Sequence, residues 1–325
     1  MRALQGFAIV TTVLLASLFS GVASGAGSIV AWGSNTYGQC NAPAGNDFEV
    51  VAGGQYHSIA IKDDGALIAW GNNSEGQCNV LGGSDFVAVA GGEWHSLALR
   101  ADGSLATWGR ATVPSLAVPG GTDYQAIAAG SDVSMALKAD GTITAWGWNG
   151  YGICDVPTGS DYMAIAAGSY HSLALRDDGS LVAWGNNSEN QCDVPAGNDY
   201  VDIAAGRYHS LALKQDGSIV GWGLNQEGEL DIPMGNDFAA IAAGAHISLA
   251  LKNDGSLVAW GEAHGDWLSP PAGNDFVAIS SGWTHGLALT PEPATLLLLG
   301  FGAMGILSRR RARRAIAAVP DRAIP

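Results

Sequence analysis

Basic residues are scarce in this chain. Its 325 residues include 15 Lys and Arg against 30 Asp and Glu, and charged residues of both signs make up only 14%. Seven of the basic residues lie at the ends: Arg2, Arg309, Arg310, Arg311, Arg313, Arg314 and Arg322. Between Gly27 and Pro291, eight basic residues face 28 acidic ones, so that stretch carries about −20. A surface of that sign repels phosphate backbones, which excludes nucleic acid as a partner of the main domain. Helical periodicity is also missing from this middle stretch. Glycine, by contrast, is abundant at 46 residues, without a period of three, and hydrophobic residues reach 47%. That composition excludes collagen and a disordered chain and fits many short buried strands joined by tight turns. The length suits two average domains or one large barrel or propeller.

The two ends read as addresses. Residues 1–26 have the form of a secretory signal peptide: Arg2, an apolar stretch from Phe7 to Phe19, and small residues Ala23-Ser24-Gly25-Ala26 for cleavage. An uncleaved anchor is the alternative. Residues 291–325 begin with Pro291-Glu292-Pro293, continue as an apolar helix over about 294–308, and reach a basic cluster at 309–314. A helix of about fifteen residues is roughly 22 Å long, a little short for a bilayer core of about 30 Å. The arginines would remain cytoplasmic and leave the domain outside. This segment resembles the PEP-CTERM sorting signal of Gram-negative bacteria. The resemblance implies export across the inner membrane, transient membrane anchoring, an exosortase-type processing protease as partner, and a final place at the cell surface or outside the cell. The tail from Ala315 to Pro325 departs from that pattern; a plain membrane anchor is the other reading.

The middle, 27–290, is a repeat. Trp-Gly pairs recur at Trp32, Trp70, Trp108, Trp146, Trp184, Trp222 and Trp260, always 38 residues apart. In the unit from Trp184, Asp199 to Ala204, His209 to Lys214 and Ser218 to Trp222 read as strands. Asp216-Gly217 reads as a two-residue hairpin, and Gln191 to Val194, closed by Pro195, as a short fourth strand. Four short antiparallel strands per unit make one propeller blade. The expected fold is therefore all-β: a seven-bladed β-propeller of four-stranded antiparallel blades, with a C-terminal transmembrane sorting helix. Because the first unit begins at the third strand (Ser28 to Trp32) and the last ends at the second (His285 to Leu289), the N-terminal strand is expected to close the ring.

The repeated pattern Gly-x-x-His-Ser-Leu-Ala-Leu-Lys-x-Asp-Gly, followed by Val-Ala-Trp-Gly-x-Asn-x-x-Gly-Gln, resembles the regulator of chromosome condensation family over Ser28 to Leu289. The units are shorter than in the eukaryotic nuclear member. They are similar to the seven-unit secreted bacterial form, which includes a β-lactamase-inhibitory propeller. The resemblance implies a non-catalytic binding protein.

Residues present in every unit serve the unit. The seven Trp and the Phe or Tyr at 48, 86, 124, 162, 200, 238 and 276 read as core. The preceding aspartates, Asp47 to Asp275, read as turn caps. No unit has the Asp-x-Asp-x-Asp spacing of a calcium loop, so no metal is assigned. His57, His95, His171, His209 and His285 share a position that holds Val133 and Ile247 in the other two units. A place that takes histidine or a branched aliphatic is packed, so local hydrogen bonding is expected there and no catalysis. Cys40, Cys78, Cys154 and Cys192 share a position with Leu116, Leu230 and Leu268 and read as apolar fillers with free thiols.

Specificity in a repeat scaffold lies where units differ. Tyr56, Trp94, Tyr170, Tyr208 and Trp283, with Glu93 and Arg207, fall in the Gly-x-x-His loops. Trp148 and Tyr151 fall in the Trp-Gly loops, beside amides such as Asn72, Asn73, Asn186 and Asn187. Both loop sets emerge on one face, and their composition is that of a recognition surface. The function expected is a surface-sorted, monomeric, non-enzymatic propeller that binds an extracellular or cell-surface protein and needs no cofactor. The alternative is a polysaccharide- or matrix-binding module. Guanine-nucleotide exchange of the nuclear kind is disfavoured, because an exported domain meets no GTPase.

Overall fold

The structure is a computed structural model that describes residues 26–110, 117–264 and 266–291. The signal-peptide stretch before Ala26, the residues Glu292 and Pro293, and the proposed membrane helix with its basic cluster lie outside the described residues. Among the described residues no helix is long and apolar enough to cross a membrane.

The chain is all-β. Gly27–Gly33 forms β1. Three strands follow in each unit: Phe48–Gly53, His57–Lys62 and Leu67–Gly71 (β2–β4), then Phe86–Gly91, His95–Arg100 and Leu105–Gly109 (β5–β7). Next are Tyr124–Ala129, Val133–Lys138 and Ile143–Gly147 (β8–β10), and Tyr162–Ala167, His171–Arg176 and Leu181–Gly185 (β11–β13). Then come Tyr200–Ala205, His209–Lys214 and Ile219–Gly223 (β14–β16), and Phe238–Ala243, Ile247–Lys252 and Leu257–Gly261 (β17–β19). Ala278–Ser281 and His285–Pro291 (β20 and β21) are last, and their third strand is β1. It pairs antiparallel with β21 along its whole length, from Gly27 opposite Pro291 to Gly33 opposite His285. The remainder of each unit is an antiparallel meander, for example β14–β15–β16.

Alternation explains the strands. In β15 the side chains of Leu211 and Leu213 face one way and that of Ala212 the other, and all are buried because each sheet is covered on both faces. The cores lie between sheets. Leu173 and Leu175 of one unit pack with Tyr200, Ile203 and Trp222 of the next, and Leu287 and Leu289 pack with Phe48, Val51 and Ala60. The repeated Phe and Tyr are the most buried aromatics, at 1–5% exposure. Of the repeated Trp, Trp32, Trp108, Trp184, Trp222 and Trp260 are buried, whereas Trp70 and Trp146 are half-buried.

Three local expectations are corrected. No fourth strand forms among the described residues: Gln191 to Val194 is turn and coil, five sheets are three-stranded, and the sixth joins β20–β21–β1 to β2–β3–β4 where Gly27 pairs with Phe48. The groups a fourth strand would pair are taken by side chains. Gln191 C=O accepts from Trp222 Nε1 at 2.9 Å and Ser210 Oγ at 3.0 Å, and Cys192 N–H donates to Asn187 Oδ1 at 2.8 Å. The hairpin holds three loop residues. Gly217 N–H donates to Lys214 C=O, Lys214 N–H donates to Ser218 C=O, and Gly217 sits at φ +83°, the left-handed residue closing such a loop. Finally, the aspartates that precede the buried Phe and Tyr are ion-pair partners. Asp47, Asp85, Asp123, Asp161, Asp199 and Asp237 pair with Lys62, Arg100, Lys138, Arg176, Lys214 and Lys252 at 2.6–3.2 Å. Capping falls instead to the hairpin aspartates, such as Asp216, whose Oδ1 accepts from Ser218 N–H.

Candidate binding face

The strands place two loop sets on one face. The turn from β2 to β3 carries Gln55 and Tyr56, and its equivalents carry Glu93 and Trp94, Ser169 and Tyr170, Arg207 and Tyr208, and Trp283. These turns circle the mouth of a central channel of about 150 Å³, walled by glycines and alanines of the innermost strands. Backbone hydrogen bonds link neighbouring turns. Gln55 N–H donates to Gly92 C=O, Glu93 N–H to Ser131 C=O, Ser169 N–H to Gly206 C=O and Trp283 N–H to Gly54 C=O, at 3.0–3.3 Å. Glycine is required at Gly54, because a Cβ there would collide with the His57 ring and with the backbone oxygen of Gly92.

The second set follows each Trp-Gly. Here the amides serve the loop itself. Asn73 Oδ1 accepts from Cys78 N–H, and its Nδ2 donates to Asn79 Oδ1, both at 2.9 Å. Asn187 makes the equivalent pair with Cys192 and Asp193, while Asn72 and Asn186 accept from Ser74 and Ser188 N–H. These amides clamp their own loops. Beside exposed polar residues such as Ser74, Glu75, Ser188 and Glu227, these loops present three aromatics outward: Tyr37, Trp148 and Tyr151 are 40–50% exposed.

The nine expected site residues come together as follows. Trp94 meets Tyr56 at 6.4 Å between ring centroids, and Tyr56 meets Trp283 at 6.3 Å. The Arg207 guanidinium lies 5.4 Å from the Trp283 ring and 5.2 Å from Tyr208. Tyr208 stacks on Tyr170 at 5.1 Å, Tyr170 meets Tyr151 at 5.8 Å, and Tyr151 meets Trp148 at 5.2 Å. A continuous path of rings therefore runs from Trp94 to Trp148, joined in the middle by one arginine. Sequence reasoning named Arg207 only as a polar neighbour. Its bridging depends on Ala245, the small residue between Arg207 and Trp283 on the ring, and pairing large with small across neighbouring units was the available signal. Glu93 sits at the Trp94 end. Burial pushes its carboxyl above the ordinary value and the charge of Asp132 pushes it further, while hydrogen bonds from the Ser131 and Trp94 side chains and the charge of Arg207 offset this only in part. Burial likewise raises Asp132, against the influence of Arg110.

The histidines form an inner belt. His57, His95, His171 and His285 are buried completely and His209 nearly so. Each Nε2 meets a serine of the neighbouring unit: Ser96, Ser134, Ser210, Ser58 and, for His209, Ser248, at 2.8–3.1 Å. The bonding reaches across units, where local bonding was expected. Ser58, Ser96, Ser210 and Ser248 spend their protons on backbone carbonyls, so the facing Nε2 atoms must carry hydrogens and donate. Burial lowers the imidazoles to about 3 for His57, His171 and His209 and about 4 for His95 and His285. The four cysteines are half-buried free thiols, and burial raises Cys40, Cys78 and Cys192 to about 11.

Comparison with known proteins sets this geometry in context. The regulator of chromosome condensation (RCC1) repeat matches at residues 49–77, 124–153, 164–191 and 200–229. The chain carries RCC1 repeats. The PEP-CTERM protein-sorting motif matches residues 289–314 and marks the chain for export and membrane-associated sorting in Gram-negative bacteria. No curated protein matches. Among solved structures, Prp20p of Saccharomyces cerevisiae, described with its binding to Gsp1p and histones, superposes with a TM-score of 0.71. It is 18% identical and covers 87% of this chain and 96% of its own. Human WBSCR16 reaches 0.67 at 17% identity, covering 82% and 99%. The ectodomain of the Arabidopsis thaliana receptor kinase ACR4 reaches 0.64 at 21% identity, covering 75% and 96%. At these identities the likeness shows the fold: an RCC1-like all-β propeller.

Proposed function

We propose that this RCC1-repeat chain is an exported, surface-sorted propeller of seven three-stranded blades, its ring closed by β1, that binds a cell-surface or extracellular protein without catalysis. The observation that carries the reading is the aromatic path from Trp94 to Trp148, seated opposite the point where the chain leaves the domain. Strand β21 begins at His285 on the aromatic face and ends at Pro291, on the face of the Lys–Asp and Arg–Asp pairs. A sorting segment starting there holds the aromatic face away from the membrane. Large aromatics are common interface anchors. The non-catalytic reading rests on the belt histidines His57, His171, His209 and His285, which spend their Nε2 hydrogens on structural bonds to serine. Processing at the sorting motif by an exosortase-type protease belongs to the same proposal.

The test is quantitative capture of surface proteins by the wild-type chain beside Trp94→Ala and Tyr170→Ala. Loss of one specific protein from both variants, with melting unchanged, is the expected result. Retention of that protein by both variants, or specific binding of a polysaccharide in its place, overturns the proposal.

A further inference from the structure

The eight basic residues of the domain are unevenly placed. Six are paired with aspartates on the face where β21 ends. Only Arg110 and Arg207 belong to the aromatic face. Arg110 reaches Glu75 at 3.9 Å and acts on Asp132, and Arg207 lies over Tyr208 and Trp283. The Trp94 end of the path is thus rich in acceptors, of which Glu93 already takes hydrogen bonds from the Ser131 and Trp94 side chains. Glu93 and Asp132 are about half-buried carboxylates that repel one another. Next to Glu93 on the channel mouth stands Gln55, joined to that turn by the Gln55 N–H to Gly92 C=O bond. Gln55 is only 4% exposed, and its Oε1 has no hydrogen-bond partner among the described residues; Asp132 Oδ1 is in the same condition. Buried acceptors without donors are costly. An ammonium or guanidinium supplies donors and charge together.

We propose that the mouth beside Tyr56 and Trp94 receives a basic side chain of the partner, a lysine or arginine, whose N–H groups are taken by Gln55 Oε1 and the carboxylates of Glu93 and Asp132. The inference rests on the proposed protein-binding role and names the chemistry its partner must present. Tyr56 and Trp94 offer ring faces to the aliphatic stem and to the cation. The residual negative field of this face steers such a partner toward it.

The test is calorimetric titration of the full chain with tetralysine amide, beside tetraglutamate and cellohexaose. Tetralysine should bind and the other two should not. Glu93→Gln should weaken tetralysine by about tenfold or more, as for other close charge pairs, while Asp254→Asn, an equal charge change on the opposite face, should leave it unchanged. Arg207→Ala, which removes the resident cation, should tighten binding several-fold and keeps the proposal falsifiable should the Glu93 variant fold poorly. Equal effects of Glu93→Gln and Asp254→Asn, no gain with Arg207→Ala, or preference for cellohexaose overturns it. If Trp94→Ala abolishes partner capture and Glu93→Gln does not, the face is the binding site and the cation pocket is wrong.

Discussion

Ser58 and His285 stand 227 positions apart in sequence and 3.0 Å apart in space, where Ser58 Oγ accepts from His285 Nε2 and donates to Gln39 C=O at 2.9 Å. The same relay recurs between neighbouring units, so the belt depends on neutral imidazoles. Each buried histidine has a folded pKa of about 3 or 4, below its unfolded value of about 6.5. Between those values the unfolded chain binds more protons. Stability is therefore complete above about pH 6.5 and falls as the pH drops toward 4, each histidine adding a slope of up to about 1.4 kcal/mol per pH unit. Urea midpoints at pH 7 and pH 5 should show a large drop, and His171→Val, which installs the residue found at Val133, should make it smaller. An unchanged midpoint would contradict the neutral belt.

The repeated and the variable tryptophans should behave differently. Trp184 is 8% exposed and donates its indole N–H to Ile153 C=O at 2.8 Å. Its replacement by alanine should cost about 3–5 kcal/mol, as for other buried large aromatics. Trp94→Ala removes a half-buried ring at the rim and should cost under about 1 kcal/mol while weakening partner binding by about 2 kcal/mol or more. Thermal melts of the two variants decide: similar losses would make Trp94 a core residue.

Gly54→Ala tests the backbone packing around the channel. The new methyl group meets the His57 ring and the Gly92 carbonyl together. Neither can withdraw without breaking the belt, so a loss of about 1–3 kcal/mol or more is expected from denaturant unfolding. A neutral result would show that the innermost strands can spread.

Thiol reactivity reports the burial of the cysteines. With pKa values near 11, Cys40, Cys78 and Cys192 are almost entirely protonated at pH 8. Labelling by Ellman's reagent should be slow in the native protein and fast in urea. Cys154→Leu should preserve the melting temperature, since Leu230 already fills the same place in another unit.

Much of this was legible in the sequence, for identifiable reasons. An unbroken 38-residue period and two-residue alternation locate β14, β15 and β16 to within a residue, because burial on both faces of a sheet leaves few alternatives. The loop positions of Tyr56, Trp94, Tyr170 and Tyr208 follow from strand parity alone. The missing fourth strand was not legible. Gln191 to Val194 has strand-like composition, and only the positions of Trp222, Ser210 and Asn187 in space reveal that side chains occupy its backbone groups. The pairing of Asp47 with Lys62 was hidden because two opposite charges meet across a hairpin register, which propensity does not encode. The reach of Arg207 over Ala245 to Trp283 is a contact across two units, and no single 38-residue unit contains it.

The pairing of Gly27 with Pro291 has a mechanical side. Strands β1 and β21 run antiparallel, and the ends that leave the domain are opposite each other at one end of the pair. Tension applied to both would load a single pair of backbone hydrogen bonds, then the next, as in a zipper. Strands pulled from opposite ends would share the load across every bond at once. A pull through β21 alone, with the partner holding the aromatic face, runs along a strand flanked by both β20 and β1, and both neighbours must then be sheared together. The domain is thus weak to a pull between its own two ends and strong along the line from partner to tether.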